Sequence, residues 1–295
     1  MGISIDEKRV YDASEGPTPV YVVGEFGVAR VDTSDDLVGE FGLARQCSAR
    51  DAAGADGRLV VATDEDVLVG VFGGQSNPND SKTNGNNSEG KENVSEAGED
   101  PAFEALGVGP SVAVGFARSG RILAAREDGT VVRGADGDWT ELGEIDDVRA
   151  IDGDFLVAAS GVYRATADGL RHVGLEDARD VSAAGVPLAA TGDGLYRLAN
   201  GWVDELDGDF GAVSAEVANS GTLGRAHAAS DEGLFAREGE AWTEVALPVE
   251  ERVVALDDGE GTYAVTENGT FLLSVGDGWN HQILGLRGVR AVAAP

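Results

Sequence analysis

The residues with useful chemistry in this 295-residue chain are few, and their spacing is regular. Three arginines, Arg149, Arg179 and Arg290, stand at the second position of comparable phrases: VRAID at 148–152, ARDVS at 178–182 and VRAVA at 289–293. Guanidinium groups at one structural level would be a local positive exception in an acidic chain, suited to an anion or an acidic peptide. This trio is the candidate binding site. A second series, Arg30, Arg133, Arg164, Arg197 and Arg237, also recurs at one position. There a guanidinium can bridge neighbouring units and pair with the abundant acids, so the series reads as structural.

The other candidates are weaker. The acid pairs Asp152/Asp154, Asp207/Asp209 and Asp257/Asp258 could hold Ca²⁺, which takes about six to eight oxygen ligands. They could also divide acid and base roles if their pKa values were split. Among 53 acids such pairs arise by chance, and they read as solvated turns. The three histidines, His172, His227 and His281, share no common position, whereas zinc needs about three or four converging ligands. They read as surface or edge residues. Cys47 reads as a small core residue on the first strand of the second unit, although Arg45 and Arg50 nearby leave room for a reactive thiol. No metal, cofactor or catalytic set is expected.

The elements that must position these residues repeat. Each unit ends a small-residue stretch at an acidic or Gly-containing turn, then continues into an apolar pair that usually precedes Arg. That phrase runs GVAR at 27–30, DVLVG at 66–70, GTVVR at 129–133, GVYR at 161–164, GLYR at 194–197, GLFAR at 233–237 and GTFLL at 269–273. Its starts lie 39, 63, 32, 33, 39 and 36 residues apart. The long interval contains the polar stretch 73–100; subtracting those 28 residues leaves 35 and restores the period. A further strand of the unit carries all four tryptophans, Trp139, Trp202, Trp242 and Trp279.

With 43 glycines placed through every candidate segment, a helical reading fails. Four short strands per unit, repeated seven times at this period, predict an all-β, seven-bladed β-propeller of four-stranded blades, with residues 1–295 as a single domain. The phrase GVRAVAAP at 288–295 matches a first strand with nothing after it, while PVYVVGEF at 19–26 matches a second strand with nothing before it. Residues 289–293 are therefore predicted to pair with 19–24 and close the ring, which removes two open sheet edges. A further edge strand is expected over 3–11. Residues 73–100 are expected to be a disordered insertion within the second blade, and their sequons at Asn79, Asn86 and Asn93 read as compositional accidents.

Composition bounds the setting. There are 53 acids against 22 bases, for a net charge of -31, and the only lysines are Lys8, Lys82 and Lys91. In molar salt the Debye length falls to about 3 Å, so crowded carboxylates stop repelling one another. Acids spread along the whole chain therefore point to a halophile. Without a Lys/Arg cluster to release counterions, no nucleic acid is expected as partner. A lone cysteine, an N-terminus without an apolar stretch and no run near the roughly 18 apolar residues of a membrane helix lead to an expectation of a soluble cytoplasmic protein, with no membrane association.

The GLYR phrase after an acidic Gly turn resembles the repeats of photosystem-assembly and two-component-regulator propellers. The whole chain, with its acidic composition, is similar to a haloarchaeal β-propeller family. The resemblance implies the fold and leaves function open. Sialidase-type propellers carry an Asp-box, and SDEGLFAREGEAW at 230–242 and TENGTFLLSVGDGW at 266–279 do not keep its spacing. The expected function is a non-enzymatic interaction or scaffold module, monomeric on its own, for an unidentified protein partner. The alternative is a small-ligand-binding, hydrolase-type or lyase-type propeller working at the mouth of its central channel.

Overall fold

The computed structural model describes residues 17–72, 100–135, 137–216, 221–276 and 278–295. These form 28 strands, from β1 (Thr18–Gly24) to β28 (Val289–Ala293), in seven four-stranded antiparallel sheets. The segment 3–11 and residues 73–99 lie outside the described residues. The chain leaves the second sheet after β6 (Val67–Val71) and re-enters it at β7 (Ala102–Ala105).

The inner strands form a closed ring. In order they are β28, β4 (Ala49–Ala55), β8 (Ser111–Phe116), β12 (Val148–Asp152), β16 (Ala178–Ser182), β20 (Phe210–Ala215) and β24 (Val253–Asp258), which returns to β28. The first blade is β28-β1-β2-β3, with β2 at Gly27–Ser34 and β3 at Leu37–Arg45. Its inner strand comes from the far end of the chain. Tyr21 pairs with Ala293, Val22 with Val292, Val23 with Ala291 and Gly24 with Val289, across one bulge. The predicted closure is present.

Second strands such as β1, β5 (Arg58–Thr63), β13 (Phe155–Ala158) and β25 (Thr262–Thr266) are covered by neighbouring blades on both faces. This is why they read as unbroken apolar runs. The core is accordingly seven clusters, one between each pair of blades. One example packs Val60, Ala62 and Val67 of blade 2 against Val114, Ile122 and Ala124 of blade 3. Tight hairpins join the strands; Asp56 and Gly57 both take positive φ (51° and 69°) between β4 and β5, as a two-residue mirror-type turn requires.

Trp139, Trp202 and Trp242 lie on the outer strands β11 (Asp138–Glu144), β19 (Trp202–Asp207) and β23 (Ala241–Val245). Each indole Nε1 donates to the preceding blade: to the Leu106 carbonyl at 3.2 Å, the Val173 carbonyl at 3.0 Å and Glu205 Oε2 at 3.2 Å. Cys47 precedes β4 rather than lying on it, and packs half-buried against the cluster between blades 1 and 2. Burial pushes its thiol above the ordinary value. No helix among the described residues is long and apolar enough to cross a membrane.

Candidate functional site

The inner strands enclose a central channel of about 1120 Å³. Arg149, Arg179 and Arg290 all line it, near the ends where these strands begin. The structure brings two of the three together. Arg149 Nη1 donates to Asp177 Oδ1 of the next blade at 2.7 Å, while its Nε and Nη2 reach Asp147 Oδ2 at 3.2 and 3.1 Å. Arg179 in turn bonds both carboxylate oxygens of Asp209 in the blade after, and reaches back to Asp177 Oδ2 at 3.4 Å. The result is an alternating rim, Asp147–Arg149–Asp177–Arg179–Asp209, that ties three blades. The Arg149 hydrogen bond holds the Asp177 carboxyl below its ordinary value. The bond to Asp209 raises the Arg179 guanidinium. Arg290 stands across the ring on β28, 56% exposed, with Glu25 at 3.6 Å.

Deeper in the channel lies a constellation of acids. Asp51 on β4 accepts the Val114 N–H of blade 3 at 2.9 Å and the Ala52 N–H at 2.9 Å. Asp180 on β16 accepts from Val213 of blade 6 at 2.8 Å and from Val181 at 2.9 Å. Asp152 accepts from Ala183 of blade 5 at 2.6 Å, and Asp257 from Ala294 beside the closing strand at 2.7 Å. Each carboxylate thus fastens one inner strand to the next. At two of the remaining joints glycine allows direct backbone approach. A Cβ on Gly54 would lie 2.1 Å from the Ala294 carbonyl oxygen, and one on Gly115 2.4 Å from that of Ile151.

These side chains meet solvent only along the channel, with protein on every other side. Desolvation therefore outweighs their backbone hydrogen bonds. It pushes Asp51 up to about 8 and Asp180 and Asp257 to about 7, and raises Asp152 as well. The reading of Asp152, Asp257 and Asp258 as solvated turns is corrected by these bonds. Asp51 and Asp180 were missed; the available signal was the shared phrase ARD at 49–51 and 178–180, an acid inside an apolar strand.

The joint between blades 6 and 7 differs. His227, on β21 (Ala226–Ser230), is 5% exposed, which corrects its reading as a surface residue. Its Nδ1 meets Asp258 Oδ1 at 2.9 Å and Oδ2 at 3.1 Å. Thr262 Oγ1 donates to Asp258 Oδ1 at 2.7 Å, and the Asp258 N–H donates to Ser214 Oγ at 2.8 Å. The buried carboxylate is thereby satisfied, which makes burial of the histidine tolerable. His172 and His281 are exposed and far apart on different outer strands.

In the structural arginine series, Arg197 Nε bonds Glu205 Oε1 at 2.6 Å, and Glu205 passes the link to Trp242 of the next blade. Arg30 bonds Asp32 at 2.7 Å and approaches Asp100 of blade 2 at 3.8 Å. Arg164 instead lies over the Phe155 ring of its own blade.

A family model described as "Beta-prop_HVO_0234-like, beta propeller" matches residues 4–295. No curated protein matches the sequence. Solved structures similar in fold include the following three. The WD40 β-propeller domain of Doa1 gives a TM-score of 0.56 at 9% identity, over 83% of this chain and 86% of that one. The computationally designed Ika8 protein gives 0.54 at 14% identity, over 94% and 90%. YCF48 bound to a D1 peptide gives 0.52 at 14% identity, over 81% and 83%. At these identities the likeness is one of fold.

Proposed function

We propose that this chain, which belongs to the HVO_0234-like β-propeller family, is a non-enzymatic protein-interaction module of a halophilic archaeon's cytoplasm. The observation that carries this reading is the outer strand of blade 1. β3 is the longest of the described strands, with nine residues, and its outward edge is unpaired among them. Leu37, Phe41 and Leu43 on it are 65%, 43% and 55% exposed. Other outer strands expose more charge that discourages edge pairing, such as Asp138, Glu141 and Glu144 on β11 or Asp204 and Asp207 on β19, where β3 exposes Glu40 and Arg45 beside its apolar groups. Exposed apolar groups gathered on one edge mark a surface that a partner covers.

The channel supports the same reading from the other side. Arg149 and Arg179 are already bonded to carboxylates of neighbouring blades, which leaves their charge neutralised toward an incoming anion. YCF48, a propeller similar in fold, was solved with a peptide bound. The acidic composition supports the halophilic setting.

The test is tagged purification from a halophilic host in molar salt, with mass spectrometry of the co-purifying proteins. A stoichiometric partner that is lost on Phe41→Lys/Leu43→Lys is expected. Recovery of the propeller alone, with hydrolytic or small-molecule-binding activity at the channel, would overturn the reading. A channel-mouth anion site is the second reading. It rests on Arg290, whose guanidinium is largely exposed and only loosely opposed by Glu25.

A further inference from the structure

Two Asn–Gly pairs among the described residues, Asn200–Gly201 and Asn268–Gly269, share one chemistry and sit in opposite surroundings. In such a pair the backbone nitrogen of the glycine can reach the asparagine side-chain carbon, because the glycine brings no Cβ to block the approach. A third pair, Asn84–Gly85, lies outside the described residues.

Asn268 is exposed at the hairpin between β25 and β26 (Thr270–Ser274), but its glycine is built into the fold. The Gly269 N–H donates to the Thr266 carbonyl at 3.0 Å. The Gly269 carbonyl accepts from Leu284 at 2.9 Å and from Gly285 at 3.2 Å, in the segment that crosses from blade 7 to blade 1. Gly269 is buried, its φ is +79°, and a Cβ on it would collide with the Leu286 backbone. Its nitrogen is engaged, and the peptides on either side cannot turn unless those bonds break.

Asn200 lies at the tip of the hairpin between β18 (Gly194–Leu198) and β19 of blade 5. Leu198 pairs with Trp202, which leaves Ala199, Asn200 and Gly201 as a three-residue loop. All three are exposed. The loop is pinned by the Ala199 N–H, which donates to the Gly201 carbonyl at 2.8 Å; that bond does not engage the Gly201 nitrogen. A Cβ on Gly201 would meet no heavy atom within 4 Å, and its φ lies outside the positive region. Packing does not hold the Gly201 peptide, and water reaches it.

We infer that Asn200 is a self-modifying site of the folded protein, converted with water to aspartate and isoaspartate, and that the fold withholds the same chemistry from Asn268. The Gly201 nitrogen gives up its proton to solvent base and bonds to Asn200 Cγ. The bond from Cγ to Nδ2 breaks, and ammonia leaves with a proton from solvent. Water then adds to either carbonyl carbon of the resulting cyclic imide and opens it. Attack at Cγ yields aspartate. Attack at the backbone carbonyl carbon yields isoaspartate, with the main chain lengthened by one methylene. No oxidant or cofactor takes part. The new carboxylate stands beside Trp202, whose Nε1–H ties blade 5 to the Val173 carbonyl of blade 4 at 3.0 Å. Isomerisation therefore alters the chain next to a tether between blades.

The test incubates the full chain in molar KCl at mildly alkaline pH and follows each asparagine by residue-resolved tandem mass spectrometry. A parallel sample unfolded in urea gives the reactivity of the two pairs without the fold. In the folded protein Asn200 is expected to convert at least about ten-fold faster than Asn268, about 1.4 kcal/mol in barrier. In urea the two should convert at comparable rates. Gly201→Ala adds its methyl group to open space, so the thermal midpoint should hold while Asn200 conversion slows at least about ten-fold and Asn268 is unaffected.

Equal rates in the folded protein, a faster Asn268, or an Asn200 that stays intact while the unfolded chain reacts would each overturn the inference. So would a preference for Asn200 of the same size in urea, since local sequence rather than the fold would then set it. Undiminished conversion in Gly201→Ala would rule out attack by that nitrogen and overturn it as well. The chemistry needs no partner, so its outcome is independent of the interaction reading.

Discussion

Replacing Asp51 with asparagine gives the sharpest test of the enclosed carboxylates. In the folded chain the Asp51 pKa is raised from 3.8 to about 8, chiefly by desolvation. A raised carboxyl pKa means that the folded state binds its proton more tightly than the unfolded chain. Stability on this account is full below about pH 4 and falls as pH rises toward about 8. At about 1.4 kcal/mol per tenfold, the interval from about pH 4.5 to about pH 8 is worth at most about 5 kcal/mol. The side chain is reached by channel water, so an effective dielectric nearer 20 than 4 reduces this to about 2–3 kcal/mol. Asp51→Asn abolishes the ionisation. It also leaves one of the Val114 and Ala52 N–H groups without its carboxylate acceptor, at about 1–2 kcal/mol at every pH.

The variant should therefore be less stable than the parent at about pH 4.5 and equal or more stable at about pH 8.5, a relative gain of about 2–3 kcal/mol. Urea unfolding followed by tryptophan fluorescence in molar KCl, at both pH values, measures it. An unchanged difference between variant and parent across that range would mean that Asp51 is ionised throughout, and the account of the enclosed acids would fail.

Three further outcomes follow from the joints and the rim. His227→Ala removes the ring partner of Asp258 but leaves Thr262 and the Arg225 guanidinium on the same carboxylate, and should lower the urea-derived stability by about 1–3 kcal/mol. Arg149→Ala and Arg179→Ala remove half-exposed rim pairs; each should cost no more than about 1 kcal/mol by the same measurement, because exposed pairs are screened. Gly54→Ala would drive a methyl group into the Ala294 backbone. It should loosen the ring-closing strand, seen as faster hydrogen exchange over 289–293 and a stability loss of about 3 kcal/mol or more.

The three arginines illustrate how much of the site was legible. Their common second position on an inner strand was readable, and all three do line the channel. Their chemistry was not readable, because Asp177 and Asp209 meet Arg149 and Arg179 only once neighbouring blades are side by side. The same holds for His227: nothing in its local sequence points to Asp258, 31 residues on. Asp51 and Asp180 look like surface acids in so acidic a chain until the ring encloses them.

The sequence by itself determined the repeat, the number of blades and the closure of the ring. Period, turn chemistry and apolar runs are local properties, and each blade obeys them separately. The unpaired phrases at 19–26 and 288–295 can be matched without coordinates. Tertiary structure decided which charges are neutralised, which acids are enclosed and which edge is bare. Those properties depend on what the next blade, or no blade, places within a few ångströms.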